Sequence, residues 1–398
     1  MLFTCLFMKS TYHLIEVNDK ITAREFIRLP VAMYAGDPNW IRPLDKDVEE
    51  VFDPAQNKAF RHGECIRWIL KEAGGNTIGR VAAFYDEKKA KKNEQPTAGM
   101  GFFECINNQE AANILFQACV DWLKEKGMEA VDGPVNFGER DRWWGLLVDG
   151  FYPPNYQANF NFPYYKQLFE TFGFKNYFEQ YTYYTPMTDK GLNPGIREKA
   201  IRLSRDPNYR VENVGTRQSE KFATDFVEIY NKAWTRHGGV KKITRMHAKG
   251  MFKSMKPILD KRLILFGYYK DEPIAFFIML PEINQIIMHL NGKMNLIGKL
   301  KFKYYQLTNS ITKAFGVIFG VIPAYQAKGV EGLLIMAFAK IIMSKDLPYK
   351  DLELNWIGDF NPSMMKIAEQ IGARIHKTHV TYRYLFDRTK EFKRAKSL

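Results

Sequence analysis

The chain has 398 residues, of which 46% are hydrophobic and 15% aromatic. This length exceeds what one hydrophobic core usually organises, so we expect two globular domains rather than one. The formal net charge of +14 favours an anionic partner, such as a membrane surface, a nucleic acid or a phosphorylated ligand.

Several classes of feature are not expected. No run of about 18 uninterrupted apolar residues occurs, so we predict no membrane-spanning helix. The segment MLFTCLFMKSTY lacks the basic region and the cleavage site of a signal peptide. We interpret the cysteines as reduced residues of a cytoplasmic protein, and we predict no zinc site, no disulfide framework and no other metal. They have no C-x-x-C spacing and no histidines nearby: Cys5, Cys65, Cys105 and Cys119.

Strands and helices alternate along both halves of the chain, as in a mixed α/β fold. In the first half, CIRWILKEA and TIGRVAAFYD predict a hairpin around Gly74 and Gly75, MGFFECI and EAVDGPVNF predict strands, and NQEAANILFQACVDWLKEKG predicts an amphipathic helix that stops at Gly127. In the second half, RLILFGYYKDEPIAFFIMLP predicts a hairpin, AFGVIFGVIP and LELNWIGDF predict strands, and EGLLIMAFAKIIMSK predicts a helix.

The end of each half carries the same short pattern. FPYYKQLFETFGF at residues 162–174 and NPSMMKIAEQIGA at residues 361–373 align at an offset of 199, which pairs Pro163 with Pro362, Glu170 with Glu369 and Gly173 with Gly372. Each segment predicts a proline in the first helical turn, a short helix and a terminating glycine. We infer an internal duplication, with domains at 1–185 and 186–398 and a boundary in the turn-rich stretch YTPMTDKGLNPG.

The stretch GVIPAYQAKGVEGLL, residues 320–334, has the pattern of a phosphate-binding loop. A strand ends near Pro323, a turn carries Gln326, Lys328 and Gly329, and a helix begins near Gly332. Such a loop binds phosphate through backbone N–H groups at the helix N-terminus, with glycines where a side chain would block the ligand. An ordinary strand-to-helix turn is the alternative.

At these residues the sequence resembles the Gcn5-related N-acetyltransferase (GNAT) superfamily, whose acyl-CoA loop reads Gln/Arg-x-x-Gly-x-Gly/Ala. The resemblance implies a mixed α+β fold of two tandem GNAT-like domains, each a twisted mixed sheet flanked by helices. It also implies an acyl-CoA co-substrate, or an acyl carrier protein thioester, held by Val321, Ile322, Gln326, Lys328, Gly329, Gly332 and Asn361.

Glu331 departs from the GNAT pattern, which has Gly or Ala at its position. Its carboxylate either points outward from the first helical turn, where it favours the helix dipole, or weakens cofactor binding. The matching place in the first half, ECINNQEAANILF, has no glycine and has Glu104 and Glu110 nearby. We therefore predict that only the second domain binds acyl-CoA and that the first has a degenerate loop.

Motifs along nearly the whole chain carry a narrower resemblance. DPNWIRPL, GRVAAF, GFFEC, DGPVNF, GLLVDGF, NFPYY, YNKAW, LPEINQIIMHLNG and ELNWIGDFNPSM together are similar to the tandem acyltransferase-like family that includes bacterial ceramide synthases. The resemblance implies transfer of a fatty acyl group from its thioester to the amine of a sphingoid base.

Amine acylation needs a base for the ammonium group and a donor to the developing oxyanion. Alternation along LELNW places Glu353 and Asn355 on one face of a strand, so we take Glu353 as the candidate base and Asn355 as the residue that positions the substrate. His237 is an alternative base, because an imidazole changes charge near neutral pH. Purely structural roles explain all three residues as well.

Polar residues in three loops are candidate substrate contacts, since loops after strands often carry function. They are Asn136, Asp141, Trp144 and Asp149 in GPVNFGERDRWWGLLVDGF, Trp234 in NKAWTRHGG, and Glu282 and Asn284 in LPEINQ. The alternative is that they only shape tight turns.

The segment GKMNLIGKLKFKYYQLTNSITK, residues 292–313, interleaves five lysines with Leu, Ile, Phe and Tyr and has no acidic residue. This composition is typical of a peripheral membrane segment, and a solvated basic helix is the alternative. A nucleic-acid partner is disfavoured, because no recognised binding motif accompanies the charge.

Together these patterns predict an acyl-CoA-dependent N-acyltransferase that acts on a long-chain amine at the cytoplasmic face of a membrane. Two alternatives stay open at this point. One is an acyltransferase for a soluble amine, and the other is a catalytically silent protein that binds acyl-CoA or lipid.

Overall fold

The structure is a computed structural model that describes residues 12–90, 95–188, 191, 193–214, 219–234, 242–308, 310–343 and 347–396. Contacts divide the chain into two compact units. The first unit comprises Met1–Gln180, Leu290–Gly298 and Lys377–Ala395, and the second comprises Tyr181–His289, Lys299–His376 and Lys396–Leu398.

The elements up to residue 186 belong mainly to the first unit. They are β1 (Tyr12–Glu16), α1 (Lys20–Met33), α2 (Asp45–Val51), β2 (Gly63–Glu72), β3 (Thr77–Asp86), α3 (Glu87–Ala90), β4 (Thr97–Cys105), α4 (Gln109–Glu125), β5 (Ala130–Gly133), β6 (Leu146–Asp149), α5 (Tyr165–Phe172) and β7 (Lys175–Pro186).

The remaining elements belong mainly to the second unit. They are α6 (Pro194–Ser204), β8 (Tyr209–Asn213), α7 (Ser219–Trp234), α8 (Arg245–Met255), β9 (Ile264–Tyr269), β10 (Glu272–Pro281), α9 (Asn284–Ile287), α10 (Leu296–Leu307), β11 (Lys313–Val321), α11 (Val330–Met343), β12 (Asp351–Gly358), α12 (Pro362–Gln370) and β13 (Arg374–Leu385).

The strands of the first unit follow the order β1-β2-β3-β4-β5-β13, with β6 also paired to β13. Only the β4–β5 neighbours are parallel; the other pairs in this order are antiparallel. Helix α4 packs on this sheet through its apolar face, because Leu115, Phe116, Cys119 and Leu123 are completely buried in one core cluster. The predicted helix and its apolar face are therefore confirmed.

The second unit repeats this order as β8-β9-β10-β11-β12-β7, again with one parallel pair, β11–β12. The sixth strand comes from a different part of the chain in each case. The first unit takes β13 from residues 377–385, whereas residues 181–186 of β7 count with the second unit. The repeated order confirms the mixed α/β fold of two tandem domains.

Local predictions about turns are mostly confirmed. Helix α4 ends just before Gly127 (φ +75°), and Gly173 (φ +112°) and Gly372 (φ +79°) follow α5 and α12 in the left-handed conformation that glycine tolerates best. Pro362 occupies the first turn of α12, but the same prediction for Pro163 is wrong, because α5 begins only at residue 165.

One predicted strand boundary differs from the structure, and the domain bounds of 1–185 and 186–398 stay a prediction. The strand expected from EAVDGPVNF covers only Ala130–Gly133, because the chain leaves the sheet at the following proline, which has no N–H to donate. A single cut between residues 185 and 186 would leave residues 377–395 with the second domain, whereas their contacts place them with the first unit.

The cysteines within the described ranges have free thiols. Cys105 and Cys119 are completely buried, and burial raises the pKa of the Cys105 thiol to about 12. These two residues belong to the hydrophobic core of the first unit, and their thiols are unreactive at neutral pH.

The buried side chain of His379, on β13, makes the stability of the first unit depend on pH. Its Nε2 lies 3.0 Å from the carbonyl oxygen of Asn159, and burial lowers the pKa of its imidazole from 6.5 to about 4. A depressed folded-state pKa adds stability that is fully present above pH 6.5 and is lost as the pH falls towards 4.

We predict that acidification from pH 7.5 to pH 4.5 destabilises the protein by up to about 3 kcal/mol through this residue. In His379→Gln, which keeps a donor, the free energy of unfolding in urea should depend less on pH over this range. A matched substitution of exposed His247, His247→Gln, should leave the dependence unchanged. Equal pH dependence of wild type and His379→Gln would contradict the assignment.

Candidate active site

The parallel strands β11 and β12 are paired only along the first part of their length. Their registered pairs run from Lys313 with Asp351 to Gly316 with Leu354, yet β11 continues to residue 321 and β12 to residue 358. Beyond Gly316, the edge of β11 that faces away from β10 has no strand paired to it in the described register. This leaves an open edge of backbone donors and acceptors between two strands.

A β-bulge lies at the point of parting. On β10, Ile278 pairs with Ile318 and Met279 pairs with Gly316, so Val317 is the extra residue and has no partner opposite it. The extra residue of a bulge is left out of the ladder, and bulges recur next to active sites. The sequence analysis did not identify Val317, because apolar residues on both sides of it hide the change of register.

The loop after β11 is shaped by its contact with α6. Gly329 has φ +104°, and a Cβ atom there would lie 2.8 Å from Cβ of Lys199. A Cβ atom at Gly332 would lie 2.6 Å from Cγ2 of Ile196. Helices α6 and α11 therefore approach closely only because both positions are glycine, which is a different reason from the room for phosphate that the sequence suggested.

Glu331 turns back towards the loop instead of pointing outward. Its Oε1 accepts a hydrogen bond of 3.1 Å from the backbone N–H of Ala327, and its side chain is buried. The carboxylate thus places a negative charge at the N-terminus of α11, where the backbone N–H groups of the first turn have no partner within the helix. It stands where a phosphate oxygen would otherwise find a donor.

The other residues predicted to hold the donor lie at or just after the ends of β11 and β12. Gln326 and Lys328 are exposed, and Gln326 Nε2 donates to the carbonyl oxygen of Val321 (2.9 Å). Val321 and Ile322 are buried. Asn361 caps α12, with its side chain accepting from the backbone N–H of Met364 at 3.2 Å. Asn361 therefore has a structural role whether or not it also contacts a ligand.

Glu353 lies just before the parting of the strands and is completely buried. Its carboxylate forms an ion pair with Nζ of Lys313, and Nε2 of His376 lies 3.7 Å from the same oxygen. The ring of His376 packs against that of Tyr184, with centroids 5.0 Å apart and an angle of 30° between the ring planes. Strand pairing thus brings together the side chains of Lys313, Glu353 and His376, which lie on three different strands. Sequence analysis missed Lys313 and His376, because their proximity depends on strand pairing.

Asn355 and Glu282 lie on either side of this cluster. Asn355 is the first β12 residue after the last registered pair, and its Oδ1 accepts from the backbone N–H of Trp356 (2.9 Å). At the other end of the strands, the backbone N–H of Glu282 donates to the carbonyl oxygen of Lys313 (2.9 Å), and Glu282 accepts from the N–H of Asn284 (3.0 Å). The structure therefore brings Glu282 and Asn284 to the start of β11.

The corresponding opening in the first unit is closed by the chain itself. Strands β4 and β5 are in register only from Thr97 to Gly99. Past that point, the backbone N–H of Val135 donates to the carbonyl oxygen of Met100 (2.7 Å), and a Cβ atom at Gly101 would lie 2.0 Å from the oxygen of Val135. The edge of β4 is covered here, whereas the matching edge of β11 is open.

The end of β4 is filled by a buried polar network. Glu104 Oε2 accepts hydrogen bonds of 2.8 Å from the hydroxyls of Tyr34 and Tyr165, and Arg80 lies 3.3 Å from its other oxygen. The side chain of Asn108 caps α4 by accepting from Ala111 N–H (2.9 Å). The carboxylate of Glu104 and the capping side chain of Asn108 thus occupy the place that corresponds to the phosphate-binding loop of the second unit.

The four candidate substrate contacts of the first unit have unequal surroundings. Asn136 Oδ1 and Trp144 Nε1 are buried polar atoms that find no partner within the described ranges, although Asn136 Nδ2 donates to Glu139 O (3.1 Å). Asp141 and Asp149 are exposed. A buried polar atom without a partner costs free energy, so Asn136 and Trp144 are the stronger candidates for a ligand contact.

The remaining predicted residues are less informative. Trp234 is the last residue of α7, and His237 lies outside the described residues. Within the described ranges, no group of three or more His, Cys, Asp or Glu side chains is arranged to hold a metal ion.

Comparison with curated proteins gives relatives that match almost the whole chain. A bacterial ceramide synthase of Caulobacter vibrioides is 27% identical over 372 residues, covering 92% of this chain and 96% of that protein. Protein YghO of Escherichia coli is 25% identical over 370 residues, covering 92% and 93%. No protein-family model matches the chain.

Solved structures share the fold at low sequence identity. A tandem GNAT protein from the clavulanic acid biosynthesis pathway superposes with a TM-score of 0.55 at 10% identity, covering 94% of this chain and 98% of its own. A GNAT protein from Sphaerobacter thermophilus gives a TM-score of 0.51 at 11% identity, with coverage of 95% and 96%.

The chain thus has the tandem GNAT fold, as the sequence predicted. The predicted resemblance to bacterial ceramide synthases is confirmed over 92% of its length. Over nearly its whole length the chain is thus similar to a protein named a bacterial ceramide synthase, and it shares its fold with tandem GNAT proteins.

The hydrogen bond from Ala327 N–H to Glu331 predicts how the affinity for an acyl-CoA changes when the side chain of residue 331 loses its negative charge. In Glu331→Gln the amide oxygen can still accept from Ala327 N–H, but the negative charge at the helix N-terminus is gone. We predict that palmitoyl-CoA binds several-fold more tightly, because like-charge repulsion with the pyrophosphate is removed. Isothermal titration calorimetry at two salt concentrations measures the change, which should shrink at high salt.

Glu228→Gln is the matched control, since Glu228 lies on α7 with a side chain that is 40% exposed and paired with Lys232 at 2.7 Å. This variant should bind like the wild type. Weaker binding by Glu331→Gln, with an unchanged melting temperature, would show that the loop does not receive the pyrophosphate.

Proposed function

We propose that the protein transfers a long-chain acyl group from acyl-CoA to the amine of a sphingoid base or a similar long-chain amine. The observation that carries this proposal is the open edge of β11 beyond Gly316 in the second unit. The name of the Caulobacter relative, which matches 92% of the chain, supports the choice of acceptor.

The open edge of β11 suits the donor's pantetheine arm, whose amide groups can pair with strand backbone in the manner of an added strand. We propose that Val321 and Ile322 line this slot. The start of α11 would then face the pyrophosphate through Gly329 and Gly332, with Gln326 and Lys328 as exposed polar neighbours and Asn361 at the start of α12. An acyl carrier protein presents the same arm and is the alternative donor.

We propose that the backbone amide of Val317 stabilises the oxyanion of the reaction. When bound, the donor supplies the thioester whose carbonyl carbon the amine attacks. The residue at a bulge has no residue opposite it on the neighbouring strand, and a backbone N–H there can donate to the oxygen on which negative charge develops. We propose the amide of Val317 for this role because it lies where the two strands part.

We propose Glu353 as the group that receives the proton of the attacking ammonium, acting through His376. Glu353 itself is buried and held by Lys313, whereas the side chain of His376 is 15% exposed. An imidazole beside a buried carboxylate is a common arrangement for a general base. Asn355, two residues along the same strand face, would position the amine.

We propose Asn136 and Trp144 for a ligand contact within the first unit, and Glu282 and Asn284 for a contact with the acceptor in the second unit. Asn136 and Trp144 each have a buried polar atom without a partner in the described chain, which favours a ligand contact. Glu282 and Asn284 lie at the start of β11, next to Lys313. The weaker proposals for substrate contacts or catalysis are Asp141, Asp149, Trp234 and His237.

A long-chain amine resides in a membrane, so we propose that the protein meets its acceptor as a peripheral protein at the cytoplasmic membrane face. No helix in the described part of the chain is long and apolar enough to cross a bilayer.

The proposal predicts selectivity for both substrates. With purified protein, palmitoyl-CoA and sphinganine in mixed micelles should yield the N-acyl product, detected by mass spectrometry, at a kcat/KM at least tenfold above that with acetyl-CoA. A soluble amine such as glucosamine should be a poor acceptor, because it cannot use apolar contacts.

Each outcome of this assay decides between the functions considered. Turnover with the soluble amine but not with sphinganine would replace the acceptor. Binding of palmitoyl-CoA without turnover of either amine would favour a silent binding protein, and absence of binding would overturn the proposal.

The roles of Glu353 and His376 can be separated by substitution. Glu353→Gln should lose at least 100-fold in kcat while its affinity for palmitoyl-CoA stays within twofold of wild type, because a general base typically contributes 10²–10⁴-fold. His376→Ala should lose a similar factor and recover part of it when imidazole is added. Lys313→Met removes the ion pair but keeps the Glu353 carboxylate and His376, so its kcat tests whether the ion pair itself is needed for turnover.

Circular dichroism melting is needed beside the kinetics, since Glu353 is buried and a structural loss would also lower activity. A fully folded Glu353→Gln with unchanged kcat would remove Glu353 from the mechanism. Absence of imidazole rescue in a folded His376→Ala would remove His376.

A further inference from the structure

Within the described part of the chain, Phe302, Tyr305 and Gln306 of helix α10 face the rest of the protein. The ring of Tyr305 stacks on His289 with centroids 4.3 Å apart, and Gln306 Nε2 donates to the carbonyl oxygen of Pro257 (2.8 Å). Phe302 lines a cleft of about 420 Å³ together with Gln306. These three residues lie within about 100° of the helix circumference, so they define the inward side.

The opposite side of α10 is apolar and exposed. Its side chains are between 61% and 74% exposed, and they are Leu296, Ile297, Leu300, Tyr304 and Leu307. With 100° between successive residues, these five also fall within an arc of about 100°, centred opposite the inward side. A surface helix of a soluble protein normally shows the reverse arrangement, with its apolar side buried.

Lysines border this apolar face on both edges. Lys299 and Lys303 lie on one edge and Lys301 on the other, and all three are exposed. No acidic residue occurs in the sequence between Glu282 and Glu331, so the charge around the helix is positive without local compensation. An apolar face bordered by cations is how a helix lies in the plane of an anionic membrane surface.

We propose that the apolar face of α10 inserts into the headgroup region of an anionic lipid bilayer, with Lys299, Lys301 and Lys303 on lipid phosphates. A second copy of the chain is a poorer occupant, because a two-fold pairing of this face would bring the lysine edges of two helices together without acidic partners. The inference extends the proposed function by naming the membrane-contacting surface, but membrane binding itself requires neither donor nor acceptor.

Vesicle flotation with the full chain tests the proposal. Wild-type protein should float with vesicles of phosphatidylcholine containing about one-third phosphatidylglycerol, and weakly or not at all with phosphatidylcholine alone. The triple variant Leu296→Ser/Leu300→Ser/Leu307→Ser should lose at least tenfold in partition coefficient. A matched variant of an equally exposed apolar residue on α8, Met246→Ser, should bind like the wild type.

A second triple variant, Lys299→Gln/Lys301→Gln/Lys303→Gln, separates charge from apolar insertion. Its binding should be reduced and should respond less to salt than that of the wild type. Circular dichroism melting establishes that each variant is folded, and light scattering gives the oligomeric state.

The possible outcomes distinguish this inference from the proposed function. Unchanged flotation of the folded leucine variant, or no flotation of the wild type, overturns it. A dimer that the leucine variant dissociates, without flotation, would identify a second copy as the occupant instead. Flotation of a protein that forms no N-acyl product would support the membrane surface and overturn the enzyme function alone.

Discussion

The parting of β11 and β12 after Leu354 is the constraint on which the candidate site depends. Four registered pairs hold the strands together at their start, and the bulge at Val317, in the pairing with β10, lies where these pairs end. This edge has no paired strand in the described register, so its backbone groups do not find their partners in a neighbouring strand there. The buried Lys313–Glu353 pair joins the strands immediately below the slot, so its polar groups are positioned by the same pairing.

The first unit shows what happens when the same fold does not keep this opening. Residue Val135 bonds to Met100 across the edge of β4, and Glu104 is buried with Arg80 between two tyrosines. Burial raises the pKa of Glu104 while the guanidinium of Arg80 opposes that rise. A duplicated architecture thus carries an open strand edge in one copy and a stabilising polar core in the other.

Much of this fold was predictable because its patterns are local. The apolar face of α4 and the glycines at 173 and 372 follow from side-chain spacing and backbone freedom within a few residues. Features set by distant contacts were not predictable. The bulge at Val317 needs the register with β10, His376 meets Glu353 only across strands, and Gly329 is required by the approach of Lys199.

The exchange of the sixth strand between the two halves has a consequence for how the protein is made. The first unit pairs β5 with residues 382–385 of β13, which leave the ribosome only after the whole second unit has been synthesised. Domains usually fold one after another during translation. Here the first sheet must wait with the edge of β5 unpaired until β13 has been made, so completion of the first unit depends on synthesis of nearly the whole second unit.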